Sequence, residues 1–92
     1  MIIIFLHLGQ DTVVNKKNIV GIFDMDTSTV SKHTRNFLNL AEKKGNVINV
    51  SYELPKSFVV CEEKGNKNVY ISQLASTTLE KRVKSKKILS EI

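Results

Sequence analysis

Apolar residues follow a strand-like alternation in several short runs and a helix-like spacing in one long segment. The strand-like runs are rich in β-branched and aromatic residues and are separated by Gly, Asn and Asp. They are "IIIFLHLG" (2–9), "TVV" (12–14), "IVGIF" (19–23), "NVINVSY" (46–52), "SFVVCEE" (57–63) and "VYISQL" (69–74). We expect residues 2–14 to form a hairpin that turns at "GQD", and the last two runs to form another that turns at "EKGNKN".

The segment 24–46 predicts one long amphipathic helix. The residues on its inward stripe are Val30, Thr34, Phe37, Leu38 and Ala41, with Leu40 on the flank. Asp26, Thr27 or Ser28 is suited to cap its start, and Gly45 provides a left-handed stop. A second helix is expected within residues 76–92, where Leu79 and Val83 share a face.

Together these elements predict an α+β fold. We expect a small, largely antiparallel sheet of five or six short strands, with one long amphipathic helix and a C-terminal helix. Residues 1–83 would form a single domain, because a chain of 92 residues has no room for a second core. Residues 84–92 would be a basic helix end or tail.

The strand-like runs also predict self-association. At least three of them are apolar on both faces, whereas one long helix covers only one face of a small sheet. Monomers avoid large exposed apolar faces. We therefore expect the second face, or the sheet edges, to be buried in a homo-oligomer, and such assemblies are commonly closed and symmetric.

Composition is that of an ordinary globular protein, with 41% apolar and 25% charged residues. The first apolar run is too short to span a bilayer and lacks the flanks of a signal peptide. The single cysteine, Cys61, forms no internal disulfide. We therefore expect a cytoplasmic protein without a membrane partner.

The net charge of +5 is unevenly distributed. Residues 1–75 carry nine Lys/Arg and seven Asp/Glu, whereas residues 76–92 carry five and two. The body of the chain is therefore only mildly basic, and charge alone makes a weak case for nucleic acid.

Candidate catalytic chemistry is sparse, because no phosphate-binding glycine loop or zinc-binding HExxH sequence is present. His7 is better interpreted as a packed residue than as a catalytic one, His33 as a helix-surface residue, and Cys61 as an inert buried thiol beside Glu62 and Glu63. We expect no catalytic residue, no metal site and no cofactor, and so no enzyme.

Basic residues are the remaining candidates for binding. Each alone is a solvated charge, but a symmetric oligomer repeats every one of them and can build an extended basic surface for duplex DNA. The positions considered are Lys16, Lys17, Lys32, Arg35 and Lys56, with further lysines and Arg82 near the C-terminus.

Four segments together resemble the bacterial extracellular matrix regulator family, RemA and RemB, and RemB more closely. They are "HLGQDTVV" (7–14), "NIVGIFD" (18–24), "LPKSFVV" (54–60) and "VYISQLASTTLEKR" (69–82). The resemblance runs from about Ile3 to Arg82. It implies a small cytoplasmic bacterial protein that regulates transcription of biofilm-matrix genes. It also implies DNA binding through arginines displayed on a ring-shaped homo-oligomer.

The resemblance also indicates positions for the DNA contacts. RemA presents one arginine in the turn before the third strand, where this chain has Asn18 after Lys16 and Lys17. It presents an arginine pair in the loop before "FVV", where this chain has Leu54 and Pro55, followed by Lys56. Lysine offers a point charge instead of a planar fork.

Two functions therefore remain open. Either the lysines of an assembled surface contact duplex DNA, or the chain is an oligomeric protein–protein interaction module that has lost the DNA-binding arginines. In the second case the chain would act through a partner such as a related family protein.

Overall fold

The computed structural model describes residues 5–28 and 30–84, which form six strands and three helices. The strands are β1 (Phe5–Gly9), β2 (Thr12–Asn15), β3 (Ile19–Asp24), β4 (Val47–Asn49), β5 (Ser57–Glu63) and β6 (Asn66–Ser72). The helices are α1 (Met25–Ser28), α2 (Lys32–Lys43) and α3 (Ser76–Lys84). The predicted α+β class is confirmed. Predictions for residues 1–4 and 85–92 lie outside the described residues.

The strands form two sheets, so the expectation of a single sheet is wrong. The larger sheet has the strand order β3-β5-β6-β4, and β1 and β2 form a separate antiparallel hairpin. The β3–β5 and β5–β6 pairs are antiparallel, while β4 runs parallel to β6. The hairpin is not hydrogen-bonded to an edge of the larger sheet. It lies on one face of that sheet, where its Leu6 and Leu8 are buried.

The central strand β5 has two apolar faces, as its alternation predicts. Val59 and Cys61 belong to a core cluster with residues of the hairpin and with Leu79 of α3. Phe58 and Val60 belong to a second cluster, on the face that also carries Ala41 of α2. Each face is therefore covered by its own helix, α3 on one side and α2 on the other.

Helix α3 covers the sheet face whose predicted exposure favoured self-association. Leu79 is fully buried, and Val83 packs against the same cluster, so the predicted shared face is confirmed. Together α3 and the β1–β2 hairpin cover the sheet face that we expected to be bare. This sheet face is therefore not open to a second copy.

Two buried serines attach the hairpin and the α3 connection to the sheet. The Ser72 hydroxyl donates to the Leu8 carbonyl at 2.6 Å and accepts from the Leu74 N–H at 3.0 Å. The Ser57 hydroxyl donates to the Leu74 carbonyl at 2.8 Å. Buried hydroxyls require such partners, and these bonds connect β1, β5 and β6 at one end of the sheet.

The predicted helix over 24–46 is interrupted. Its first turn, α1, begins where the Asp24 carboxylate accepts from the Thr27 N–H at 3.0 Å. Ser31 then has extended backbone angles, and its hydroxyl accepts from the Thr34 N–H at 3.5 Å as the cap of α2. Asp and Ser side chains compete for backbone N–H groups, so a stretch rich in them favours two starts over one continuous helix.

The end of the helix matches the prediction. Gly45 has a φ of +75°, the left-handed conformation that glycine adopts without strain. Its N–H donates to the Glu42 carbonyl at 3.0 Å, and the Asn46 N–H donates to the Ala41 carbonyl at 2.9 Å. These bonds satisfy the last carbonyls of α2 and direct the chain into β4.

Candidate functional site

Lys16 and Lys17 lie in a 3₁₀ turn, Lys16–Asn18, between β2 and β3. The Asn15 side chain caps this turn by accepting from the Lys17 N–H at 3.0 Å. The Lys17 side chain is exposed, and Lys16 is half-buried. Because Ile19 follows directly and pairs with Cys61, both lysines lie near the C-terminal end of β5.

Lys56 lies at the opposite end of the same strand pair. Its N–H donates to the Ser72 carbonyl at 2.9 Å, and its carbonyl accepts from the Met25 N–H at 3.0 Å. These bonds fix the backbone, while the side chain is exposed. The Pro loop therefore delivers Lys56 at the N-terminal end of β5.

The structure does not bring these lysines together within one chain. The β3–β5 register runs from Ile19 opposite Cys61 to Asp24 opposite Ser57. At about 3.4 Å per residue, that length of β3 separates the two ends by about 17 Å. Lys56 can therefore join Lys16 and Lys17 in one cluster only if they come from different copies.

Lys32 and Arg35 lie in the first turn of α2. Lys32 is exposed, and the Arg35 guanidinium donates to the Val30 carbonyl at 2.8 Å. Positive charge at a helix N-terminus opposes the helix dipole, so their position does not stabilise α2. They lie on the helix that covers the β4–β6 half of the sheet, apart from the two ends of the β3–β5 pair.

An apolar groove, which we call the α2–β3 groove, runs between α2 and the edge strand β3. It encloses about 310 Å³, and its apolar lining consists of Val20, Phe23, Phe37, Phe58 and Val60. His33, Thr34 and Lys67 complete the lining. The sequence did not predict it, because it arises where α2 packs over β4 and β6 and leaves the β3 side of that face open.

Close packing at Gly21 shapes the floor of the groove. The Phe23 ring stacks on the Phe58 ring with centroids 5.0 Å apart and an interplanar angle of 20°. It also lies so close to Gly21 that a Cβ there would be 2.7 Å from the ring. The β3–β5 register shifts between Ile19 and Gly21, an irregularity that a glycine within a strand often marks.

The apolar stripe of α2 is wider than the surface it covers. Leu38 and Ala41 pack on the sheet as predicted. Val30 and Leu40 are 73% and 53% exposed, and Phe37 lines the open groove. The predicted inward stripe therefore fails at Val30, which lies before α2 begins, and at Phe37 it borders an open groove because α2 lies over only half of the sheet face.

The Pro loop carries two further exposed apolar side chains. Tyr52 is fully exposed and Leu54 is 81% exposed. The Ser51 hydroxyl accepts from the Glu53 N–H at 3.1 Å, which holds the loop in a local turn. The loop thus presents an apolar–acidic–apolar tip, Tyr52 to Leu54, directly before Pro55.

Two of the residues considered for catalysis have structural settings: His7 is hydrogen-bonded and Cys61 is buried. His7 Nε2 donates to the Gln10 carbonyl, and the His7 carbonyl accepts from the Arg82 guanidinium at 3.1 Å. Burial raises the pKa of the Cys61 thiol to about 11, so the thiol is protonated at neutral pH. Burial, with the charges of Cys61 and Glu63, also raises the pKa of Tyr70.

Residues 5–28 and 30–84 lack two further features. In this part of the chain, no group of three or more His, Cys, Asp or Glu side chains is placed to hold a metal ion. Nor is any helix there long and apolar enough to cross a bilayer.

Comparison with known proteins places the chain among matrix regulators. A family model described as RemA-like, extracellular matrix regulatory protein A-like, matches residues 5–83. This chain belongs to the RemA-like family. Extracellular matrix regulatory protein B of Bacillus subtilis (strain 168) is 40% identical over 78 residues, which cover 85% of this chain and 88% of that protein.

The RemA-like match confirms the resemblance found from the four sequence segments. It also contains both ends of the β3–β5 pair, the Pro loop and the α2–β3 groove. The match ends at residue 83. The division into a domain over 1–83 and a tail over 84–92 stays a prediction.

Proposed function

We propose that this RemA-like chain is a cytoplasmic, non-catalytic regulator of biofilm-matrix genes that assembles into a homo-oligomer and contacts duplex DNA. The contacts fall to Lys16, Lys17 and Lys56, with further contacts from Lys32 and Arg35 in the first turn of α2. Family membership and the 40% identical matrix regulatory protein support the regulatory role.

The observation that carries the DNA contact is the position of the lysines at the two ends of the β3–β5 pair. Lys17 and Lys56 are both exposed, yet the register keeps them apart in one chain. A single copy therefore offers only the Lys16–Lys17 pair and a distant Lys56, and so few charges bind phosphate weakly. An assembly repeats both ends in every copy, and many weak phosphate contacts add up to useful affinity.

Fluorescence anisotropy with a labelled duplex tests the contact. The variant Lys16→Gln/Lys17→Gln/Lys56→Gln removes the three proposed charges. A control, Lys43→Gln/Lys44→Gln, removes two exposed lysines at the C-terminal end of α2, away from both ends of the β3–β5 pair. Binding is measured between about 50 and 200 mM salt, where phosphate contacts weaken most visibly.

We expect the first variant to bind more weakly and with a flatter salt dependence. The slope of log affinity against log salt should fall in magnitude by about 0.9 for each phosphate group that a lysine no longer neutralises. The control should retain the wild-type slope. Equal weakening in both variants would mean that DNA binding depends on net charge and not on these three lysines. No binding of the wild type at low salt would refute the DNA contact.

The second candidate function is an oligomeric protein–protein module. The observation that favours it is the Pro loop, where Leu54 and Pro55 stand at the positions implied for the arginine pair and Leu54 is exposed. Such a module would form the same homo-oligomer but bind a protein partner, such as a related family member. Light scattering with and without duplex DNA separates the two, because only the first gains mass from DNA.

A further inference from the structure

The α2–β3 groove lies on one face of the larger sheet, whereas the Tyr52–Leu54 tip lies in the loop that joins β4 to β5 at an end of that sheet. The groove runs beside edge strand β3, whereas the tip follows edge strand β4. Both surfaces are apolar and both are open in the single chain. Since Tyr52 and Leu54 are almost entirely exposed, the tip does not fill the groove of its own chain.

We propose that the Tyr52–Leu54 tip of one copy binds in the α2–β3 groove of a second copy. A groove of about 310 Å³ suits one or two side chains better than a long helix, since it is at the lower end of the roughly 300–1,000 Å³ of small-ligand pockets. Tyr52 and Leu54 supply apolar side chains of that size, and Val20, Phe23 and Phe37 supply the matching walls.

Electrostatic complementarity favours binding of the tip at the end of the groove that carries Lys67. Lys67 is the formally charged side chain in the described lining, and Glu53 lies between the two apolar residues of the tip. Glu62 is opposite Lys67 in the β5–β6 register, but Glu62 does not line the groove. A Glu53–Lys67 contact therefore seats the tip beside Val20, at the end of β3 where the chain enters from Lys17.

A contact between two different surfaces has a consequence for assembly. Every copy carries one tip and one groove, so a bound pair still has a free tip and a free groove. Such head-to-tail contacts continue until the rotation between copies closes a ring, or they extend as a filament.

The same contact completes the proposed DNA surface, and this part of the inference rests on the proposed function. Lys56 is two residues beyond Leu54, and Lys17 is three residues before Val20. Seating the tip beside Val20 therefore brings Lys56 of one copy to the subunit boundary where its neighbour presents Lys16 and Lys17. The basic cluster that one chain lacks would form at every such boundary.

Complementation between variants tests the contact. The tip variant Tyr52→Ser/Leu54→Ser keeps its groove, and the groove variant Val20→Glu keeps its tip. Val20 is 60% exposed, and the control Val13→Glu changes a 55% exposed valine outside both surfaces. Circular dichroism checks folding, and light scattering measures mass.

We expect the wild type and Val13→Glu to form the same oligomer, and each interface variant alone to have the monomer mass of 10.4 kDa. Mixing the two interface variants should give a dimer of twice that mass, since one intact tip meets one intact groove and neither can extend. Disulfide capture provides a second readout: Val20→Cys/Leu54→Cys should give a ladder of linked chains under oxidation, and Val20→Cys alone should not.

The outcomes also separate this contact from the proposed function. An oligomer that the interface variants leave intact, or a mixture that stays monomeric, overturns the contact but leaves DNA binding standing. A wild-type monomer overturns both. An assembly that behaves as expected but binds no duplex supports the contact and overturns the DNA proposal.

Discussion

Replacing Ser72 with alanine tests how the β1–β2 hairpin is held on the larger sheet. The Ser72 hydroxyl donates to the Leu8 carbonyl and accepts from the Leu74 N–H, and both Ser72 and Leu8 are fully buried. Leaving a buried polar group without its partner costs about 1–3 kcal/mol. With two groups affected, and Leu74 only half-buried, we expect a loss of about 2–4 kcal/mol in the free energy of unfolding.

A loss of that size is large for a small domain, because total stabilities are about 5–15 kcal/mol. Each kcal/mol lowers the Tm of a domain of this size by about 4–8 °C. Urea unfolding measures the free energy, and native-state hydrogen exchange identifies the region that opens. The β1–β2 amides should lose protection first.

Ser51→Ala is the matched control for this variant. It removes one bond in an exposed loop, from the Glu53 N–H, and should change stability by less than about 0.5 kcal/mol. If Ser72→Ala costs no more than Ser51→Ala, or if exchange rises equally across all strands, the hairpin is not held in the way described.

Three further variants test other features. Gly21→Ala should cost about 1–3 kcal/mol and weaken the near-ultraviolet signal of the Phe23–Phe58 stack, because the added Cβ would lie 2.7 Å from the Phe23 ring. Gly45→Ala has open space around its Cβ but a φ of +75°, so its cost should be about 1 kcal/mol and come from the backbone alone. Because burial raises the pKa of Cys61 from 9.0 to about 11, the unfolding free energy should fall between those pH values, and Cys61→Val should remove this part of the slope.

For each of these three variants, one result would contradict the prediction. An unchanged aromatic signal in Gly21→Ala would mean that the ring does not rest on the glycine. A Gly45→Ala variant as stable as the wild type would contradict the left-handed stop. For Cys61, the unfolding free energy falls as pH rises because the thiol loses its proton at a lower pH in the unfolded chain than in the folded one. Equal pH slopes for wild type and Cys61→Val, with Tyr70 titrating in both, would contradict a buried protonated thiol.

Local patterns predicted the parts of the fold that depend on neighbouring residues. Alternation along β5 separated Phe58 and Val60 from Val59 and Cys61, and these pairs do lie in different core clusters. Gly45 predicted the end of α2 because glycine adopts the left-handed conformation that ends many helices, whatever surrounds it.

Features that depend on pairing between distant residues could not be predicted in the same way. The hairpin's position on a face depends on contacts such as Ser72 to Leu8, 64 residues apart. The spacing of Lys16 and Lys56 along the chain gave no sign that the β3–β5 register places them at opposite ends. The width of the apolar stripe on α2 predicted a buried face, but not that Phe37 would border an open groove.

The proposed function is tested most directly by the mass of the wild-type chain in solution, measured by light scattering with and without duplex DNA at low and moderate salt. We predict an oligomer of several 10.4 kDa chains that gains the mass of the duplex at low salt and releases it as salt rises. A monomer under all conditions, or an oligomer that never takes up DNA, would contradict the proposed function.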